Sequence, residues 1–120
     1  NEILLKAWYY GRSEMMNNKI NVFTYGSLMD NKKRTFILNK YIEGIKDKLI
    51  DYDIKDHSMC NFPTIYPKKG KIVNGIVFKV DQLELMILDR YENNLYDKIE
   101  IKTQNNLNCL VYIEKNEALK

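Results

Sequence analysis

Short apolar runs alternate with polar stretches along the chain, and the spacing of the apolar positions changes from one run to the next. Ile20 to Tyr25 reads as a strand, and residues 30–39 combine charged positions with apolar Phe36, Ile37 and Leu38, predicting a helix. Tyr41 to Ile54 has mixed spacing and predicts an extended strand with a bend near Gly44. Met59 to Tyr66 reads as a strand interrupted by Pro63, which cannot donate to a ladder and so implies an edge or a bulge. Lys68-Lys69-Gly70 reads as a turn, and Ile72 to Val80 as a strand whose internal Gly75 marks a close backbone approach or a barrel bend. Asp81-Gln82-Leu83-Glu84 has the form of a capping box opening a helix, with Leu83, Met86, Ile87 and Tyr91 on one face. Tyr96 to Thr103 and Asn108 to Glu114 form a hairpin across Gln104-Asn105-Asn106. Strands dominate and their pairing is largely antiparallel, so the order predicts an α+β fold.

With 120 residues, 45% of them hydrophobic, the chain predicts one domain over residues 19–120 with a single core. Residues 1–18 stand apart as an extension or tag-like segment. Asn1 to Tyr10 has helical apolar spacing at Ile3, Leu4, Ala7 and Trp8, Gly11-Arg12-Ser13 breaks it, and Met15 or Met16 looks like a natural start. The other reading is a short helix packed on the domain through Trp8. No apolar run approaches the ~20 residues of a membrane helix. Ile3 to Tyr10 is too short for a secretory leader and lacks a basic start and a small-residue cleavage site. Cys60 and Cys109 show no metal or redox spacing, which fits a reducing cytoplasm and two small buried apolar residues. One histidine and two separated cysteines are too few for a soft-metal cluster, and no dinucleotide fingerprint follows the first strand, so neither metal nor cofactor is expected.

The net charge of +3 is too small to argue for nucleic acid, but it is unevenly placed. Residues 31–71 hold ten Lys/Arg against five Asp/Glu, including Lys32-Lys33-Arg34 and Lys68-Lys69-Gly70-Lys71. Such runs read as solvated faces; the functional reading is a field that draws an anionic substrate.

Candidate chemistry centres on Tyr25-Gly26-Ser27-Leu28, where an apolar strand ends in a turn that opens a helix. A strand-to-helix turn leaves backbone N–H groups unpaired and suited to a carboxylate or phosphate. Gly26 lets the main chain approach a ligand, and Ser27 can cap the helix or touch the ligand. The same turn is also common structural punctuation. A second element, Leu88-Asp89-Arg90-Tyr91-Glu92 followed by Tyr96-Asp97-Lys98, closes the later helix.

Together with Phe62-Pro63-Thr64-Ile65 and Val73-Asn74-Gly75-Ile76-Val77-Phe78-Lys79-Val80, these pieces resemble, in order and spacing over residues 21–114, the gamma-glutamylcyclotransferase-like family, which includes the gamma-glutamylamine cyclotransferases. The resemblance implies a small, mixed, mainly antiparallel β-barrel with flanking helices. It also implies an enzyme that releases 5-oxoproline from a gamma-glutamyl amine or amino acid, without metal or cofactor. In that chemistry the substrate's own alpha-amine attacks its side-chain amide. Tyr25, Gly26, Ser27 and Leu28 would hold the alpha-carboxylate, and Glu92 would be the general acid/base, desolvated by Tyr91 and Leu88. Without the resemblance, Glu92 reads as the cap of its helix.

Asp89, three residues earlier, reads as structural support paired with Arg90 or Lys98. Tyr96 and Tyr112 are hydroxyls that reach a pocket or pack in the core, and His57 reads as a surface or strand residue. Many members of the family have Gly after the catalytic Glu, where this chain has Asn93, which tolerates a left-handed backbone. The alternative to an enzyme is a non-catalytic domain of the same fold that binds a small carboxylate; no nucleic-acid or membrane partner is expected.

Overall fold

Strand β1 (Ile20–Thr24) lies at the centre of a five-stranded sheet, in a computed structural model that describes residues 19–115. It pairs antiparallel with β3 (Pro63–Val80), from Ile20 opposite Val80 to Thr24 opposite Ile76, and parallel with β5 (Asn108–Glu114) at Val22 and Leu110. Strands β2 (Ile45–Asp56) and β4 (Tyr96–Lys102) flank these, giving the order β2-β3-β1-β5-β4. A central strand is buried on both faces and therefore reads as a nearly continuous apolar run. Val22 packs with Phe78, Val80, Leu85 and Leu88 on the helix-covered face, while Phe23 packs with Leu49, Val77, Val111 and Ile113 on the other. The sequence predicts one core; the sheet has one on each side.

Among the described residues no helix packs on the second core; the sheet curls over it instead. The β4–β5 turn reaches across to β2: the Gln104 amide donates to the Lys48 carbonyl at 2.9 Å, and the Asn105 amide to Asp47 Oδ1 at 3.1 Å. Asn106 completes this turn with a φ of 67°, as its short polar side chain permits. Gly75 allows β3 to pass tightly beside β1, since a Cβ there would overlap the Thr24 carbonyl oxygen and the Phe23 ring.

Helix α1 (Asn31–Leu38) starts at Asp30, whose carboxylate accepts from the Lys32 amide, and stops at Asn39 with φ 56°. Helix α2 (Gln82–Glu92) opens with a reciprocal capping box, Asp81 and Glu84 each accepting the other's amide at 2.8 Å. Lys40 Nζ meets Glu84 Oε2 at 2.8 Å and joins the end of α1 to the start of α2.

Several sequence-based expectations are corrected. Lys68 to Lys71 does not turn between two strands. It is an excursion within one 18-residue strand, set opposite Asp51 where the β2–β3 register shifts, and the Gly70 amide donates to Asp51 Oδ1 at 2.9 Å. The β2–β3 connection lies instead at residues 57–62, where a strand was expected from Met59. Helix α2 buries Leu85 and Leu88; of the expected Leu83, Met86, Ile87 and Tyr91 face, Tyr91 packs against the core while Met86 and Ile87 are exposed. The lysines of the Lys32-Lys33-Arg34 run are exposed, but Arg34 is fully buried. The expected segment 1–18 lies outside the described residues. Among the described residues, no helix is long and apolar enough to cross a membrane.

Candidate active site

Two turns from distant parts of the chain meet at one cavity of about 160 Å³. The first follows β1. Met29 donates its amide to the Gly26 carbonyl at 3.0 Å and Asp30 to the Ser27 carbonyl at 3.2 Å, winding Ser27–Met29 into a single tight 3-10 turn. Because this is the start of a helical segment, the amides of Gly26, Ser27 and Leu28 make no hydrogen bond within the described residues. Tyr25, Gly26, Ser27 and Leu28 all line the cavity. A Cβ at Gly26 would meet Pro63 Cγ at an ordinary 3.5 Å. The missing side chain widens the cavity wall.

The second turn is the end of α2. Tyr91 and Glu92 close the helix, Asn93 takes a φ of 53°, and a second 3-10 turn through Leu95 leads into β4 at Tyr96. Ser27 Oγ and Tyr91 Oη lie 3.0 Å apart and tie one turn to the other. Glu92 lines the cavity half-buried, and its carboxylate has no hydrogen-bond or ion-pair partner among the described residues. Burial among apolar and aromatic neighbours therefore raises its pKa from 4.5 to about 7.

Three tyrosines surround Glu92, and each has its hydroxyl proton committed elsewhere. Tyr25 donates to the Tyr112 carbonyl at 2.6 Å, Tyr96 to the Pro63 carbonyl at 2.7 Å, and Tyr112 to Asp89 Oδ1 at 2.6 Å. Burial raises the pKa of all three, so they stay as neutral phenols. Asp89 is similarly engaged, taking Lys98 Nζ at 2.9 Å on its other oxygen. It is not among the residues that line the cavity, so the two carboxylates of this helix end have separate surroundings.

His57, expected on the surface or in a strand, is buried in the loop after β2. Its Nε2 donates to the Leu95 carbonyl at 2.8 Å while Nδ1 accepts from the Met59 amide at 2.9 Å. Ser58 bonds Glu114 through its hydroxyl and holds that carboxylate below its ordinary value. The loop thus anchored carries Phe62 and Pro63 onto the cavity wall. A solitary histidine followed by serine has no spacing pattern that would announce this brace. Among the described residues no three His, Cys, Asp or Glu side chains cluster in a way that could hold a metal ion.

A curled, mostly antiparallel half-barrel with two helices is the gamma-glutamyl cyclotransferase-like fold. It is shared with a solved gamma-glutamyl cyclotransferase at a TM-score of 0.67, 19% identity, and coverage of 82% of this chain and 68% of that one. An Arabidopsis thaliana protein solved in solution superposes with a TM-score of 0.73 at 24% identity, covering 83% of this chain and 64% of its own. A mouse AIG2-like protein gives 0.68 at 20% identity, with coverage of 82% and 79%. Residues 22–120 match the family model described as gamma-glutamyl cyclotransferase, AIG2-like, and the chain belongs to that family. A Methanocaldococcus jannaschii protein, named as a gamma-glutamylcyclotransferase and provisionally an RNase, is 30% identical over 78 residues. That match covers 64% of this chain but only 35% of the relative's length.

Proposed function

We propose that the domain is a gamma-glutamyl cyclotransferase that releases 5-oxoproline from a gamma-glutamyl amine or amino acid, with Glu92 as general acid/base. The observation that carries this reading is the Glu92 carboxylate itself: cavity-lining, without a partner among the described residues, and raised to about 7. A free alpha-amine titrates near ~8, and a base is most useful when its pKa lies close to the working pH.

The substrate's alpha-carboxylate sits at the amides of Gly26, Ser27 and Leu28, and the cavity bends the glutamyl side chain back on itself. Glu92 takes a proton from the alpha-ammonium. The freed amine nitrogen attacks the gamma-carbonyl carbon, a new C–N bond closes the five-membered ring, and the bond to the leaving amine breaks. Protonated Glu92 gives its proton to that amine as it leaves, and the regenerated carboxylate takes the second proton from the ring nitrogen, which becomes the lactam N–H, and passes it to the freed amine or to solvent. The neutral hydroxyls of Tyr25, Tyr96 and Tyr112 keep the wall around Glu92 uncharged, which maintains its raised pKa. Holding the two ends of one molecule in contact makes the attack effectively unimolecular.

The test is mass-spectrometric detection of 5-oxoproline after incubation with a panel of gamma-glutamyl amines and dipeptides. Turnover of at least one compound is expected. A panel with no turnover, together with 5-oxoproline binding, would turn the reading to a carboxylate-binding domain without catalysis.

A further inference from the structure

Arg34 is fully buried under the first turn, an expensive place for a charge. Its Nη1 donates to the Leu28 and Met29 carbonyls, both at 2.9 Å, and its Nη2 donates to the Ile42 carbonyl at 3.0 Å and to Asn31 Oδ1. The guanidinium carbon stands 5.5 Å from the centre of the Phe78 ring. Gly44 leaves room for the fork, since a Cβ there would overlap Ile76 Cδ1 and lie 3.2 Å from Arg34 Nη2. Among the described residues no carboxylate lies within ion-pair distance, every oxygen that accepts from Arg34 is neutral, and the Asp30 carboxylate favours the charge only through space, against the larger opposing effect of burial.

The hydrogen bonds beyond the fork run in one direction. Arg34 bonds the Leu28 carbonyl; the same peptide unit donates through the Met29 amide to the Gly26 carbonyl; and that unit ends in the Ser27 amide. In parallel, Arg34 bonds the Met29 carbonyl, the Asp30 amide bonds the Ser27 carbonyl, and that unit ends in the Leu28 amide. In a trans peptide C=O and N–H point opposite ways, so each relay aligns two peptide dipoles head to tail from the cation toward the cavity-lining turn. Chains of this kind polarise one another in a low-dielectric interior.

We propose that Arg34 is the positioning residue of the anion site, fixing the turn through two peptide relays and leaving a charge that the substrate's carboxylate balances. This rests on the cyclotransferase reading of the cavity. It would explain why an eight-residue helix turns its one arginine inward while its two lysines stay in solvent.

The test compares binding of 5-oxoproline with that of its neutral amide by calorimetry, in the wild type, Arg34→Gln and Arg34→Lys, with circular dichroism as the fold control. The wild type is expected to prefer the anion. Arg34→Gln should reduce that preference by about three- to tenfold, the scale of a local dipole acting on an anion. Arg34→Lys, which keeps the charge, should hold the preference within about threefold of wild type. A buried arginine that is only structural would weaken both ligands alike. Full anion preference in folded Arg34→Gln overturns the role of Arg34, as does loss of preference in folded Arg34→Lys. If Arg34→Gln does not fold, Arg34→Lys alone decides. A wild type that binds the amide as well as the acid removes the carboxylate site itself, a failure of the cyclotransferase reading that is separate from these two.

Discussion

At the start of α2, Asp81 and Glu84 exchange hydrogen bonds with each other's amides and Glu84 also holds Lys40, whereas at the end of the same helix Glu92 has no such partner among the described residues. The chemistry of the side chains is nearly the same, and the circumstances are opposite. A carboxylate surrounded by donors has its oxygens engaged and ties parts of the fold together; one facing apolar walls keeps a proton more readily and is available to exchange it. Asp89 belongs with the first pair, through Tyr112 and Lys98, although it sits only one helical turn from Glu92.

The largest effect expected from breaking this contrast is on turnover. Glu92→Gln keeps the size of the side chain but cannot carry the proton, so kcat on a confirmed substrate should fall by about 10²- to 10⁴-fold with little change in 5-oxoproline affinity. In the wild type the rate should rise with pH as Glu92 ionises through about 7, and this limb should vanish from the residual activity of the variant. Steady-state kinetics across pH checks both; near-full turnover in Glu92→Gln would hand the role to another group.

Next comes binding at the opposing turn. Gly26→Val should weaken 5-oxoproline by about tenfold or more, because its branched side chain narrows the wall beside Pro63. A Cβ there meets only Pro63, at an ordinary distance, so the melting temperature should stay within a few degrees. Unchanged affinity by calorimetry would move the anion site away from this turn.

The third effect is on stability, and its sign is the opposite of the usual cost of mutation. The folded-state pKa of Glu92 lies above its ordinary 4.5, so between about 4.5 and 7 the native state holds a proton that the unfolded state has lost. Stability contributed by this group therefore falls as pH rises through that window, and above 7 the ionised carboxylate is a full burden. Glu92→Gln should be more stable than wild type by about 1–3 kcal/mol at pH 8 and no more stable at pH 4. Urea denaturation at the two pH values measures this; an equal or lower stability at pH 8 would mean that Glu92 is not desolvated.

The parts of this arrangement that were legible in the sequence are those with local signals. The capping box at Asp81 and Glu84 and the Asn106 hairpin need only a few adjacent residues to specify them. The resemblance of the Tyr25–Leu28 and Leu88–Glu92 segments to one family brought the two turns together before any geometry did. What stayed hidden depends on contacts far apart in the chain. Arg34 reads as one of three exposed cations until Leu28, Met29 and Ile42 offer it carbonyls. His57 gains its partner only when Leu95 arrives 38 residues later. The face of α2 was misread because Leu83, Met86 and Ile87 are as apolar as Leu85 and Leu88, and periodicity alone does not choose between adjacent stripes.

The smallest effect tests the other end of the helix. Asp81→Ala removes the acceptor for the Glu84 amide while keeping the backbone N–H that donates to the Glu84 carboxylate, so one helix-start donor is left without its partner close to a buried core. Loss of an N-cap typically costs about 1 kcal/mol, so the melting temperature should drop by about 3–5 °C. Asp81 is remote from the cavity lining, so kcat should remain that of the wild type at temperatures where the variant is folded. Paired with Glu92→Gln, the experiment asks whether two carboxylates on one helix act in opposite directions, one lowering stability when removed and the other raising it at pH 8. If Asp81→Ala also abolished turnover in a fully folded protein, the start of α2 would have to be setting the position of its end. The contrast between the two ends would then be a single coupled device rather than two independent ones.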